Sequence, residues 1–257
     1  MARTFDVIFF DLGDTLIYDK EPWEPILSRA DAAMRKSLEL SGYPLPADAY
    51  GKFESIFDLY YHRRQETNQE ETTIQLLTEL MGSGGATPAT PVLQAAMEAM
   101  YAITQENWYV ESDTAPTLKL IREQGYPLGM ISNAADDENV QALIDKANIR
   151  KYFKFILSSA ACGVRKPDPQ IFQLALEHFN AQPERTVMVG DTLEADILGA
   201  NQMGMYSIWI NRRAIHPPEG ELNIQPRAVI STLRDLPAVL EEIQGDSQET
   251  QAAAHLR

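Results

Sequence analysis

Six short apolar, β-branched or aromatic runs punctuate the chain: Phe5 to Phe10, Pro127 to Ile131, Phe153 to Leu157, Thr186 to Val189, Tyr206 to Ile210 and Ala228 to Ile230. Their apolarity is close to continuous instead of alternating, the pattern of strands buried on both faces of a sheet. From Asp113 onward they are separated by helical stretches, among them Asp136 to Ala147, Pro169 to Phe179 and Glu194 to Met203. Asp136, Asp137 and Glu138 crowd one helix start, where carboxylates meet the positive end of the dipole, and Asp168 followed by Pro169 supplies a cap and a first-turn proline. Strand alternating with helix predicts an α/β fold built on a doubly wound parallel sheet.

Residues 21 to 108 break that rhythm, showing helical periodicity and no convincing strand. Ile26, Ala30, Ala33, Met34 and Leu38 form one stripe, and Tyr50, Phe53, Phe57, Tyr60 and Tyr61 form another, read as packing between helices. Further helical segments run from Thr73 to Met81 and from Val92 to Ile103, separated by the glycine-rich stretch Gly82 to Gly85. The expected division is a sheet-bearing core over residues 1–18 and 110–244, an inserted helical block over 19–109, and a disordered tail over 245–257, where the composition is polar and small.

Four polar clusters follow apolar runs. The first run ends in Phe10-Asp11-Leu12-Gly13-Asp14-Thr15-Leu16, which puts two carboxylates and a glycine at the carboxyl edge of a buried strand, the edge where open α/β sheets bind ligands. A carboxylate there can attack phosphorus and divide a hard hydrolysis into two displacements; taken alone, the segment reads equally well as a turn. Ile131 is followed by Ser132 and Asn133, a hydroxyl and an amide able to donate to phosphoryl oxygens or to cap a helix. In Gly163-Val164-Arg165-Lys166-Pro167-Asp168-Pro169 a lysine stands just before a helix start, either as a clamp on a nucleophile and phosphoryl group or as part of a solvated Arg-Lys pair. Thr186 to Val189 leads into Gly190-Asp191-Thr192-Leu193-Glu194-Ala195-Asp196, whose carboxylates suit either a helix start or a metal. Magnesium takes about six oxygen ligands, several of them water or substrate phosphate, so Asp11 and Asp191 on neighbouring strands would supply two.

The four segments, in this order and over nearly the whole chain, resemble the four motifs of the haloacid dehalogenase superfamily. The resemblance implies a Rossmann-like core with a helical cap between the first and second motifs. It implies Asp11 as nucleophile and magnesium ligand, Asp191 as second carboxylate ligand, the Gly13 backbone carbonyl as a further metal contact, and Asp196 as a supporting acid. Ser132 and Asn133 match the phosphate-binding motif, and Lys166 matches the lysine that neutralises charge around nucleophile and phosphoryl group. The implied activity is magnesium-dependent hydrolysis of a small phosphorylated metabolite through an aspartyl-phosphate.

One position departs from the phosphatase pattern. That pattern has aspartate two places after the nucleophile and then glycine, whereas here the order is Gly13 then Asp14. The missing carboxylate protonates the leaving group and later activates water, a contribution of roughly 10²–10⁴-fold. Asp14 is a candidate replacement, and Asp19 a weaker one. Two alternatives stay open: a 2-haloacid dehalogenase-like reaction, in which the same aspartate attacks carbon without metal, and a slow or non-hydrolytic phosphate-binding module. A phosphoglucomutase-like isomerase is a further relative, but nothing in the sequence demands its second phosphate site.

The remaining features bound the partners. A net charge of −15 opposes binding to nucleic acid or anionic lipid, and it repels a phosphate ester globally, so local cations and a metal must do the attracting. No apolar run approaches the roughly 20 residues needed to cross a bilayer, and strand-like sequence begins by Thr4. The lone Cys162 fits a reducing compartment, and the expected location is the cytoplasm. In the cap, His62, Arg63 and Arg64 form a basic cluster that could meet an anionic substrate or simply end a helix. Tyr18, Trp23, Trp108 and Tyr109 fall near the two cap junctions, where they suit either an entrance or hinge packing. Aromatic cap faces pack equally well internally or against a copy, so oligomeric state is left open.

Overall fold

The protein is described by a computed structural model covering residues 4–45, 67–213 and 224–254. All six apolar runs become strands of one parallel sheet: β1 (Val7–Phe10), β4 (Leu128–Ser132), β5 (Phe155–Ser158), β6 (Thr186–Gly190), β7 (Tyr206–Ile210) and β8 (Ala228–Ile230), in the order β5-β4-β1-β6-β7-β8. Strand β1 therefore lies between β4 and β6, with Phe10 level with Met130 on one side and Val189 on the other. Strand order reverses at β1, and the crevice at such a switch point is where ligands bind.

Alternate β1 side chains feed two cores, which is why the run is apolar at every position. Ile8 and Phe10 pack with Leu118 and Ile121 of α4 (Thr114–Glu123), with Val140 and Ile144 of α5 (Asp137–Lys146) and with Leu236 and Leu240 of α9 (Leu236–Ala254). Val7 and Phe9 face Ile171, Phe172 and Ala175 of α7 (Pro169–Phe179) and Ala200 of α8 (Gly199–Met203). Each such fully buried side chain contributes about 1.5–3 kcal/mol of apolar transfer free energy. The predicted caps form: Asp136 accepts from the Asn139 amide at 2.7 Å and Asp168 from the Gln170 amide at 2.8 Å.

Three described helices lie between β1 and the return to the sheet: α1 (Trp23–Leu40), α2 (Thr73–Ser83) and α3 (Thr90–Glu106). Met34 and Leu38 of the first stripe pack against Leu77, Leu80 and Met81 of α2 and Leu93, Ala96 and Met97 of α3, a third core separate from the sheet. Among the described residues the block is framed by a feature the sequence did not announce, an antiparallel ribbon of β2 (Ile17–Asp19) and β3 (Trp108–Val110) with Tyr18 opposite Tyr109. The second aromatic stripe, Tyr50 to Tyr61, and the basic cluster His62, Arg63 and Arg64 lie outside the described residues.

Two further differences from the sequence reading appear. The helix expected from Glu194 opens as a π-helix, Leu193–Leu198, before α8 continues it. Helix α9 runs through Gly245 as far as Ala254, into the stretch expected to form a disordered tail, whose last residues, 255–257, lie outside the described ones; the Gln, Glu and Ala residues there are good helix formers and outweigh one glycine. Among the described residues, no helix is long and apolar enough to cross a membrane.

Candidate active site

The sheet register does most of the positioning. Asp11 follows β1, its backbone N–H donates to Val189 O at 3.0 Å, and the polar ends of β4 and β6 lie alongside. A cavity of about 380 Å³ opens over this edge, and Asp11, Gly13, Asp14, Ser132, Asn133, Lys166, Asp191 and Asp196 all line it. Four segments separated by up to 180 residues of chain are thus brought together at one place.

Lys166 is the centre of the arrangement and is 3% exposed, which rules out the solvated Arg-Lys reading for it. Its ammonium donates to Asp11 Oδ1 at 2.7 Å, Asp196 Oδ1 at 2.6 Å and the Ile131 carbonyl at 2.7 Å, using all three of its protons. Burial alone would lower its pKa, but the flanking Asp11 and Asp196 raise it above the ordinary lysine value. Asp196 is pushed up to about 6 by burial, against the pull of Lys166. With the Lys166 ammonium on Oδ1 and the Thr192 N–H on Oδ2 at 3.0 Å, both its oxygens accept, so the contact is a charged pair.

Asp191 is held differently. The Trp209 indole N–H donates to its backbone carbonyl at 2.7 Å, and the Thr15 hydroxyl reaches its Oδ1 at 3.3 Å. Burial, followed by the charges of Asp11, Asp196 and Asp14, pushes its carboxyl up to about 8. Asp11, Asp191 and Asp196 each present an oxygen within 4.8 Å of the others, so negative charge is concentrated beyond what Lys166 offsets. This all-oxygen donor set fits a hard divalent cation such as Mg²⁺.

After Asp11 the chain turns tightly: the Leu16 and Ile17 amides both donate to Leu12 O, at 2.9 and 3.1 Å. Asp14 sits in this turn with φ of 52°, a left-handed conformation that aspartate tolerates, and it joins the cavity wall. Burial, then the Asp19 and Asp11 charges, push its carboxyl up to about 6. At Gly13 an added Cβ would meet only the Trp108 ring, at 3.5 Å, an ordinary contact.

Ser132 and Asn133 both reach the cavity, but the Asn133 side chain is engaged in holding Lys166. Its amide donates to Lys166 O and its oxygen accepts from Lys166 N–H, each at 2.9 Å. Tyr18, Trp23, Trp108 and Tyr109 are not among the cavity residues; the rings of Trp23 and Trp108 lie 5.6 Å apart and those of Tyr18 and Tyr109 5.9 Å apart, the hinge-packing alternative. Asp19 is likewise absent from the wall.

The sequence reading missed Gly190 as a packing position, Thr15, and the cavity residues Asn68 and Arg165. At Gly190 an added Cβ would overlap the Asp196 carboxyl group, so glycine is what lets Asp196 tuck under β6. Its spacing before Asp191 was visible, but the close approach was not.

A family model described as haloacid dehalogenase-like hydrolase matches residues 5–204. The glyceraldehyde 3-phosphate phosphatase of Pyrococcus furiosus is 28% identical over 253 residues, covering 98% of this chain and 99% of that protein. Among solved structures, a 2-haloacid dehalogenase from Pseudomonas syringae pv. tomato is similar with a TM-score of 0.66 at 26% identity, over 93% of this chain and 99% of that one. A HAD phosphatase from Thermococcus onnurineus shares the fold with a TM-score of 0.64 at 23% identity, over 92% and 98% of the two chains.

Proposed function

This chain belongs to the haloacid dehalogenase-like hydrolase family, and from that premise we propose that it hydrolyses a small phosphate monoester, with Mg²⁺, through an aspartyl-phosphate on Asp11. The observation that carries the reading is the Lys166 ammonium fixed between Asp11 and Asp196, with the Asp191 carboxyl beside them driven up to about 8. Such a site lacks positive charge, and a phosphate ester brings only more negative charge, so a cation belongs there. Asp11, Asp191 and the Gly13 carbonyl would hold Mg²⁺, which when bound supplies the charge that offsets the phosphoryl oxygens.

In the proposed reaction the Asp11 carboxylate attacks phosphorus and the ester oxygen leaves with the bonding pair. Lys166 keeps the Asp11 oxygen oriented and, with the Ser132 hydroxyl, meets the phosphoryl group. Asn133 acts by bracing Lys166, as its two hydrogen bonds to that backbone indicate. The leaving oxygen takes a proton from Asp14, whose carboxyl at about 6 is still partly protonated near neutrality. Water then attacks the acyl phosphate, Asp14 accepts its proton, and inorganic phosphate departs. The helical block serves as a cap over the cavity, whose volume of about 380 Å³ suits a small substrate. The full-length similarity to a protein named as a glyceraldehyde 3-phosphate phosphatase supports this class of substrate.

A second reading, dehalogenation of a 2-halo acid by the same nucleophile, is favoured by the similarity to the Pseudomonas syringae structure. Turnover of a panel of phosphate esters with Mg²⁺, with and without chelator, separates the two. The expected result is phosphate release that chelator abolishes and that Asp11→Asn removes. Activity surviving Asp11→Asn would overturn the nucleophile assignment, and halide release without metal would select dehalogenation.

A further inference from the structure

The helical block touches the cavity through one short stretch of described chain, residues 68–70, which leads into α2. Gln69 bridges Val164 in antiparallel fashion, Glu70 N–H donates to Gly163 O at 2.9 Å, and Arg165 N–H donates to Asn68 O at 2.9 Å. The Glu70 side chain has 0% exposure and accepts from the Arg165 guanidinium and the Ser159 hydroxyl. Ser159 Oγ in turn accepts from the Ala134 amide at 2.8 Å, immediately after Ser132 and Asn133. Glu70 is thus tied to both phosphate-side segments, through Arg165, which precedes Lys166 in the chain, and through Ser159, which bonds Ala134, the residue after Asn133. Thr73 N–H adds a bond to Ala135 O at 2.8 Å.

This anchoring sets Asn68 in the cavity wall, in a left-handed backbone conformation with φ of 53°. Among the described residues it is the cavity residue that comes from the helical block. The rest of the wall is predominantly acidic, with Asp11, Asp14, Asp191, Glu194 and Asp196 set against Arg165 and Lys166, and both cations are already in contact with carboxylates. A leaving group carrying its own carboxylate would be repelled there, whereas a neutral one with hydroxyl or carbonyl oxygens would find an amide donor and acceptor.

We propose that Asn68, presented by the Glu70 anchor, is a specificity-determining residue that hydrogen-bonds the leaving group and selects neutral, oxygen-bearing alcohols. The inference rests on the phosphomonoesterase reading and adds to it a residue and a leaving-group class. Glu70 is a positioning residue, since it acts through its hold on the segment and not on substrate.

The test compares glycerol phosphate, phenyl phosphate and phosphoglycolate as substrates of the full chain with Mg²⁺. Asn68→Gly removes the amide without straining the left-handed backbone, which Asn68→Ala would do. The expected result is a fall of about tenfold in the kcat/KM ratio of glycerol phosphate to phenyl phosphate, carried mainly by KM, the size of one net hydrogen bond. Wild-type kcat/KM for phosphoglycolate is expected to lie below that for glycerol phosphate. Glu70→Gln is expected to narrow the glycerol phosphate preference in the same direction and to speed hydrogen exchange at the Glu70 and Arg165 amides. An unchanged ratio in Asn68→Gly, with the wild type active, overturns the inference alone. Failure of the wild type to hydrolyse any of the three esters overturns the phosphomonoesterase reading and the inference with it.

Discussion

The carboxyl edge of the sheet and the helical block solve opposite problems. At the edge, charge is buried at high density: Lys166 and Asp196 are 3% and 1% exposed, and every proton of the ammonium is directed. In the block, Met34, Leu38, Leu77 and Leu93 form an ordinary apolar core, and among the described residues polar contact with the cavity is confined to the stretch around Asn68 and Glu70. Buried charge demands a rigid frame, which the central strands supply; selecting a leaving group demands only a surface that can be brought up to the reaction. On the proposed reading, the reacting groups sit on the sheet and the discriminating group on the insertion.

That separation can be broken by truncating each core in turn, where the largest stability effects are expected. Phe172→Ala removes a ring with 0% exposure packed against Gly199 beneath the site, costs about 3–5 kcal/mol, and is expected to abolish stabilisation by Mg²⁺ in thermal melts. Leu38→Ala costs about 2–5 kcal/mol within the block but should leave the Mg²⁺-dependent rise in Tm in place, because no cavity carboxylate packs against it. If both truncations erase the metal response, the two regions are one cooperative unit and the comparison fails.

The next effect lies in the chemistry. Lys166→Met is expected to lower kcat by about 10²–10³-fold, the usual cost of losing one preorganised donor, while the choice among leaving groups proposed for Asn68 is retained. Gly190→Ala tests the close approach beneath Asp196: displacing the carboxyl costs about 1–3 kcal/mol by overpacking, and denaturant unfolding should show it together with lowered activity. A fully active, equally stable Gly190→Ala protein would mean that Asp196 can be placed elsewhere.

A last effect is expected on pH dependence. The Asp191 carboxyl is raised from 3.8 to about 8, chiefly by burial and then by Asp11. Its folded form binds a proton more tightly than its unfolded form, so its contribution to stability is fully present below the unfolded value and is lost as pH rises through the folded one. The Tm of metal-free protein should fall between about pH 4 and pH 8, following that shift. Asp191→Asn should flatten the slope, and Mg²⁺ should reduce it, because a cation takes over the proton's role.

Six strands were legible because a strand buried on both faces must be apolar at every position, as Val7 to Phe10 shows. Helix starts were legible because Asp136 and Asp168 cap through bonds two or three residues away. Contacts made across long stretches of chain left no such trace. The ribbon pairs two three-residue strands, each too short for a period, from opposite ends of the insertion. Glu70 looked like one acid among many, and its partners Ser159 and Arg165 lie 89 and 95 residues away. Asn133 read as a phosphate donor because its motif suggests one; its hold on the backbone of a residue 33 positions on, which uses one of its two amide protons, could not be read beside it. Asp14 stood as a candidate by its place in the chain alone, and the left-handed turn at φ of 52° in which it joins the cavity wall left no trace in the residue order.

The ribbon has a consequence for how such a chain can change over time. Because Ile17–Asp19 and Trp108–Val110 run side by side, the chain leaves the sheet and returns to it at a single doorway. From the sheet's side, everything between is a detour whose length is nearly free, since closing a longer loop costs little more entropy than closing a shorter one. Helices can be lengthened, shortened or exchanged beyond that doorway while the strands bearing Asp11 and Asp191 keep their register. A further toll on such exchange is the docking at Gly163 to Arg165 and at Ala135, where a new insertion must find its own way to dock.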